Sequence, residues 1–304
     1  MFSSARRLKR FDYVVVGGGS AGCVVANRLS ANPAHKVLLV EQGPYVDSDL
    51  LKAPGLCGLS NSTKLYSNWF ETVPQAHLNN RKLLHPRGRV VGGSSTANVM
   101  LYVRGHKLDY DRWAASIGDD KFNYENVLPW FKKSQNALDY GHDDFVGRGG
   151  FLEVTKPPIE DLRSQAFCQA FIDSGSKMLG KGELEDFNGP EQEGFGVYPC
   201  TLTDGVRNDT GRAFVRSVLN ERPNLTVMDR SIVHSLTIDE NKRVVGLNVG
   251  NGNRLKRSQK SEQITVDGEL ILCGGAFETP KVLQMSGIGN KEVSSSYCQT
   301  VTRF

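Results

Sequence analysis

Two apolar runs along this chain end in glycine, and the residues after the first repeat at helical spacing. Phe11–Val16 (FDYVVV) reads as a strand buried in a parallel sheet, where both faces are covered and alternation is lost. Cys23–Leu29 then places small apolar residues at helical spacing, and Pro33 ends that helix. Lys36–Val40 (KVLLV) predicts a second strand, closed by Glu41. Strand, helix and strand within about 30 residues is the minimum a βαβ unit needs. The region 45–110 is loop-rich, punctuated by Pro54, Pro74 and Pro86 just after Pro44. Asp109–Gln135 turns helical through Tyr110, Trp113, Val127, Leu128, Trp130 and Phe131. Leu162–Leu179 predicts another helix, with Phe167, Ala170, Phe171 and Ser174 on one stripe. Thr226–Ile238 and Val244–Val249 alternate as strands do, and the turn Asn251-Gly252-Asn253 leads into a basic strip, Arg254–Lys260, expected at a solvated hairpin tip. Glu269–Cys273 (ELILC) is a further buried strand, again running into glycine. The pattern as a whole is α/β.

Composition narrows this reading. A chain of 304 residues accommodates two ordinary domains, or one with large insertions. The 37 basic and 33 acidic residues nearly balance, so no basic face is indicated and no nucleic-acid partner is expected. No run of about 18 apolar residues predicts a transmembrane segment. The six cysteines are scattered without CxxC spacing, against a zinc module or a dense disulfide framework. The first ten residues, MFSSARRLKR, carry four basic charges and no acid. That is the bias of a mitochondrial presequence and equally of a solvated tail, so the expected location is mitochondrial or cytoplasmic. The 32 glycines call for local explanations.

Gly17, Gly19 and Gly22 match GxGxxG after a strand and at the opening of a helix. The first glycine permits a tight turn, the second close approach of backbone to a pyrophosphate, and the third packing of helix on strand. The helix N-terminus adds N–H donors and positive potential. Glu41 ends the next strand, where a carboxylate accepts both hydroxyls of an adenosine ribose. The motif predicts dinucleotide binding without separating FAD from NAD. A second cluster, Pro86 to Gly105, contains Gly92-Gly93-Ser94-Ser95 and Asn98, flanked by Arg87, Arg89 and an apolar strand. Taken alone it is either a ligand-hugging glycine turn or a Gly/Ser surface loop. A third, Leu270 to Gly289, again reads as strand, glycine turn and short helix with Pro280 near its start. A strand returning there to the first sheet would close a dinucleotide site from the other side.

Together the three clusters resemble the glucose–methanol–choline (GMC) oxidoreductases. Their first signature is matched by GRVVGGSSTANVMLYVRG and their second by GAFETPKVLQMSGIG, and the likeness covers about residues 11 to 290. Within the family DYVVVGGGSAGCVVANRLS, MLYVRGHKLDYDRW and DFNGPEQEGFG are most similar to the choline dehydrogenases. The resemblance implies a Rossmann-like FAD-binding domain interleaved with part of an α+β substrate-binding domain, incomplete relative to the family. It implies oxidation of an alcohol by hydride transfer to flavin, with choline giving betaine aldehyde and a quinone or other acceptor taking the electrons. The expected organisation is a basic tail (1–10), an FAD-binding region with the first signature (11–155), part of the substrate-binding region (156–225), a returning FAD-binding region with the second signature (226–290) and a divergent tail (291–304).

Carried over by position, Gly17, Gly19 and Gly22 would hold the FAD pyrophosphate, with Gly18, Ser20 and Ala21 in the same turn, and Glu41 the ribose beside Gln42. Gly92, Gly93, Ser94 and Asn98 would lie along the pyrophosphate and isoalloxazine, with Met100 close by and Val233 at the adenine. Trp69 falls in a loop near the cofactor in the family, or is a core aromatic. Some members link flavin to a histidine in the second cluster. Here that place holds Ala97, so FAD is expected to be non-covalent.

The family's catalytic histidine lies in a C-terminal third that no part of this chain matches. The six histidines (His35, His77, His85, His106, His142, His234) match no catalytic position, so no catalytic residue and no metal ligand is assigned. Two readings follow: a choline-dehydrogenase-like flavoenzyme in truncated form, or a catalytically inactive isoform that binds FAD or a partner. An NAD-dependent dehydrogenase would leave the second and third clusters unexplained. The sequons at Asn61, Asn208 and Asn224 read as chance matches, because no signal peptide precedes them.

Overall fold

The computed structural model describes residues 9–157, 162–252 and 261–290. It falls into two compact units. Among the described residues, one comprises 9–50, 56–97, 210–252 and 261–290; the other comprises 51–55, 98–157 and 162–209. The boundaries at 97/98 and 209/210 differ from the 155/156 and 225/226 read from sequence. The helical pattern after residue 107 carries no mark of the unit to which it belongs. Strands run in chain order β1 (Lys9–Val16), β2 (Val37–Val40), β3 (Ser67–Glu71), β4 (Leu84–Gly88), β5 (Gln135–Ala137), β6 (Leu152–Val154), β7 (Leu202–Thr203), β8 (Val206–Arg207), β9 (Leu225–Met228), β10 (Ser231–Ile238), β11 (Val244–Asn251) and β12 (Glu262–Leu272).

The first unit is built on a six-stranded sheet of order β10-β11-β12-β1-β2-β9. The predicted βαβ unit is its centre: β1 and β2 are parallel, with Val14 opposite Leu38, and the Ser20–Ser30 helix connects them. Val14, Val15, Val37, Leu38 and Leu39 are wholly buried, as an unbroken apolar pattern requires of strands covered on both faces. β12 returns parallel to β1, with Val14 opposite Leu270 and Val16 opposite Leu272. Its first half pairs antiparallel with β11. The register shifts at Phe11/Tyr13, where a Cβ on Gly268 would fall 2.4 Å from the Asp12 carbonyl oxygen. A side chain at that bulge has no room, so glycine stands there.

Thr226–Ile238, which alternates as one strand, is in fact two. β9 pairs with β2 at one edge of the sheet, and β10 pairs with β11 at the other. Arg230, at φ 48°, makes the break between them. Nonetheless Ser231 N donates to Glu41 O at 2.9 Å, so the sheet curls and brings the start of β10 to the end of β2. Val14, Val16, Leu38, Val40, Leu236, Leu247, Ile264 and Val282 form the core beneath it.

In the second unit the expected helical stretch from Asp109 to Gln135 is two helices, Lys107–Ile117 and Tyr124–Ser134. Gly118 separates them at φ 69°, the left-handed cap conformation that glycine adopts without steric cost. The Leu162–Leu179 helix has its predicted bounds, but Phe167 and Phe171 of its apolar stripe are exposed and Ile172 is buried. The basic strip and the divergent tail lie outside the described residues, as does most of the basic N-terminus. No helix of the described residues is long and apolar enough to cross a membrane.

Candidate functional site

The three glycine clusters meet at the carboxyl ends of β1, β2 and β12, the edge at which open α/β sheets take ligands. Gly17 follows β1 at φ 101°, and a Cβ there would fall 2.5 Å from Cys273 O. A Cβ on Gly22 would fall 1.9 Å from Gly17 O, so the helix closes on the turn only without one. The second cluster reaches the first through Gly92 N, which donates to Gly18 O at 2.7 Å. A Cβ on Gly93 would stand 2.6 Å from Gly19 Cα. The third reaches it through Cys273 N, which donates to Val16 O at 2.7 Å.

Gly19 is different. Its φ of −80° suits any residue, and the nearest atom to a Cβ there is Gly93 Cα at an ordinary 3.9 Å. Nothing in the protein demands glycine at this position. It lines a cavity of about 750 Å³ together with Gly17, Ser20, Ala21, Glu41, Gln42, Gly93, Ser94 and Val233. A backbone left bare at a helix N-terminus, facing such a space, fits a phosphate-bearing ligand.

Glu41 is 6% exposed. Its Oε2 accepts from Gly18 N and its Oε1 from Gly43 N, each at 2.8 Å. Burial pushes its pKa up to about 7, against the pull of the Gly43 and Gly18 amides and the Arg89 charge. Each oxygen keeps a second lone-pair direction for a ligand hydroxyl. Arg89 turns away into the protein, is 7% exposed and donates to Gly252 O at 2.7 Å. Burial also raises the pKa of the Cys273 thiol on the cavity wall.

Of the remaining residues singled out from sequence, Gly18, Gly22 and Gly92 shape the turn without lining the cavity. Trp69 does not line it; its ring lies under Lys64 Nζ at 5.5 Å, while its neighbours Asn68 and Phe70 face the cavity. Asn98 and Met100 belong to the second unit. There Asn98 Oδ1 accepts from Met100 N (3.1 Å) and Arg207 Nη1 (2.7 Å), and Met100 packs with Cys200 and Leu202. Sequence reasoning missed Asn68, Phe70, Ser231, Ile232 and Phe277 as cavity walls. Phe70 and Phe277 stack at 4.7 Å and 8°. Two stacking aromatics 207 positions apart leave no local signal. Among the described residues no group of three or more His, Cys, Asp or Glu is placed to hold a metal.

Fold and cavity together define a Rossmann-type α/β fold, with a second unit inserted in the chain and a cavity at the carboxyl ends of its parallel strands. The family model for GMC oxidoreductase matches residues 11–299, and the chain belongs to that family. It is 38% identical over 283 residues to an oxygen-dependent choline dehydrogenase of Photobacterium profundum, covering 93% of this chain and 48% of that protein. It is 39% identical to an alcohol dehydrogenase (acceptor) of Pseudomonas putida, covering 92% and 48%. Among solved structures, pyridoxine 4-oxidase from Mesorbium loti superposes with a TM-score of 0.85 at 33% identity, covering 94% of this chain and 53% of that one. An FAD-dependent oxidoreductase from Chaetomium thermophilum gives 0.82 at 26%, covering 94% and 49%. The chain spans about half the length of the curated relatives it matches.

Proposed function

We propose that this chain forms the cofactor-holding part of an FAD-dependent oxidoreductase acting on CH–OH donors, with choline as substrate, betaine aldehyde as product and a quinone or other acceptor taking the electrons. The observation that carries this is Gly19, bare for no reason internal to the protein, beside a buried carboxylate in a cavity of dinucleotide type. The names of the relatives point to an alcohol as the donor. Bound FAD would supply the acceptor for the hydride leaving the alcohol carbon. The amides opening the Ser20–Ser30 helix would bind the pyrophosphate, Glu41 would accept from the ribose, and Ile232 and Val233 would wall the adenine. Ala97, 2% exposed, offers no nucleophile to flavin, which supports non-covalent binding.

One observation favours a second reading, an FAD-binding or partner-binding chain without turnover. Alcohol oxidation needs a base for the hydroxyl proton, and among the described residues none of the six histidines lines the cavity. The deciding experiment is the absorbance spectrum of the purified chain after incubation with FAD and gel filtration. Retained flavin at about one per chain, bleached anaerobically by choline, is the result expected of the enzyme. Retained flavin that no alcohol bleaches supports the second reading. A colourless protein overturns both FAD readings.

A further inference from the structure

Arg87 is the one basic side chain among the described residues that line the cavity. The other charged side chains there are acidic and already engaged: Glu41 by two amides, and Glu278 by Lys281 at 3.0 Å. A dinucleotide brings two negative charges into this space, so the balance of side-chain charge falls on Arg87. Its guanidinium donates to the adjacent Pro86 carbonyl at 3.0 Å and lies over the Phe277 ring at 5.5 Å. Among the described residues it has no carboxylate partner. A guanidinium carries five N–H donors, so most remain available, and the aromatic face holds its plane without using them. The backbone is fixed as well. Gly88 N donates to Ser94 Oγ at 3.1 Å, and a Cβ on Gly88 would fall 2.2 Å from Gly93 C. Arg87 is thereby anchored beside the second glycine turn, whereas Arg89, two residues on, is consumed inside the protein.

We infer that Arg87 is the anion contact of this cavity, donating to a phosphate oxygen of the bound dinucleotide, with Phe277 as the residue that positions its guanidinium. This rests on the FAD reading above. Oxidised FAD carries its negative charge on the pyrophosphate alone, so a charge contact is visible in the salt dependence of binding.

The test is titration of the full chain with oxidised FAD, followed by flavin fluorescence, at low and high ionic strength, for wild type, Arg87→Met and Arg87→Lys. Arg87 is exposed, so both variants are expected to keep the wild-type melting temperature and near-UV dichroism. Arg87→Met should weaken FAD by about tenfold at low salt, the loss of one charge-assisted hydrogen bond, and flatten the salt dependence. Arg87→Lys should keep most of the affinity and the wild-type slope. An Arg87→Met variant with the wild-type salt dependence overturns the assignment, as does an Arg87→Lys variant that falls as far as Met. Wild type that binds no FAD overturns the proposed function itself, and the two failures are therefore distinct.

Discussion

Gly92 N donates to Gly18 O across 2.7 Å, a hydrogen bond that joins two glycine turns 74 positions apart into one wall of the cavity. Neither residue faces the cavity, yet the bond sets how close the turns stand, and Gly93 fills the gap so tightly that a methyl group would touch Gly19 Cα at 2.6 Å. Position by position, the glycines here answer to different demands, and substitution separates them.

Gly22→Ala and Gly19→Ala should part company. The first drives a methyl to 1.9 Å from Gly17 O and should destabilise by about 3 kcal/mol or more, through overpacking between helix and strand. The second meets nothing closer than 3.9 Å and should cost under about 1 kcal/mol, the preference for glycine over alanine at a helix N-cap. Its FAD affinity should still fall by about tenfold or more, because the methyl occupies the ligand's approach. Thermal melts and flavin titration read the two effects independently. Equal stability losses would refute the distinction.

Glu41 predicts a pH dependence of known sign. Its folded pKa of about 7 stands above the ordinary 4.5, so between those values the folded chain holds a proton that the unfolded chain has lost. Stability therefore falls as pH rises through that window, by on the order of 3 kcal/mol at most, and levels off above it. Glu41→Gln should abolish that slope. It should also sit below wild type at pH 5.5, roughly 1–3 kcal/mol, because the amide nitrogen leaves the Gly18 or Gly43 amide without an acceptor. Ribose hydroxyls favour the carboxylate form, so FAD should bind more tightly as pH rises from about 6 to 8. Melting temperatures and dissociation constants across that range check both.

Ser286, which opens the Ser286-Gly287-Ile288-Gly289 motif, has a structural task. Its Oγ accepts from Leu236 N at 2.8 Å and donates to Val282 O at 2.6 Å, tying the end of the Gly275–Met285 helix to β10. Ser286→Ala should lose about 1–3 kcal/mol, since the Leu236 amide is left without a partner in a residue 8% exposed. Chemical denaturation measures it, and an unchanged midpoint would refute it.

Gly118→Ala tests the second unit by itself. No atom lies within 4 Å of the added methyl, so the cost is conformational alone, about 1 kcal/mol for a left-handed residue that gains a Cβ. Gly118→Asn should recover part of it, because asparagine tolerates that conformation.

The parallel core was legible in sequence because burial on both faces erases alternation, and FDYVVV, KVLLV and ELILC carry that mark with glycine or an acid at the end. The bend at Asp229-Arg230 left only a weak mark, a run of three polar residues (Asp229-Arg230-Ser231) that interrupts the alternation without the Gly or Pro that punctuates a chain most strongly. The cavity walls drawn from Phe70 and Phe277 escaped for another reason. An apolar side chain facing a ligand has the same local pattern as one facing core. Phe167 and Phe171 show the converse, with helical spacing of core type and exposed rings.

β12 belongs both to the parallel sheet and to the antiparallel strands beside it, and it holds β1 through pairs such as Arg10 and Asp267, 257 positions apart. Until that strand docks, β1 has one unprotected edge and the cavity lacks its third wall. Loop closure over such a separation slows folding, and a chain in which β12 has not yet docked presents an apolar strand edge to other chains. Recovery of native protein on dilution from denaturant should accordingly depend on protein concentration far more than its final stability suggests.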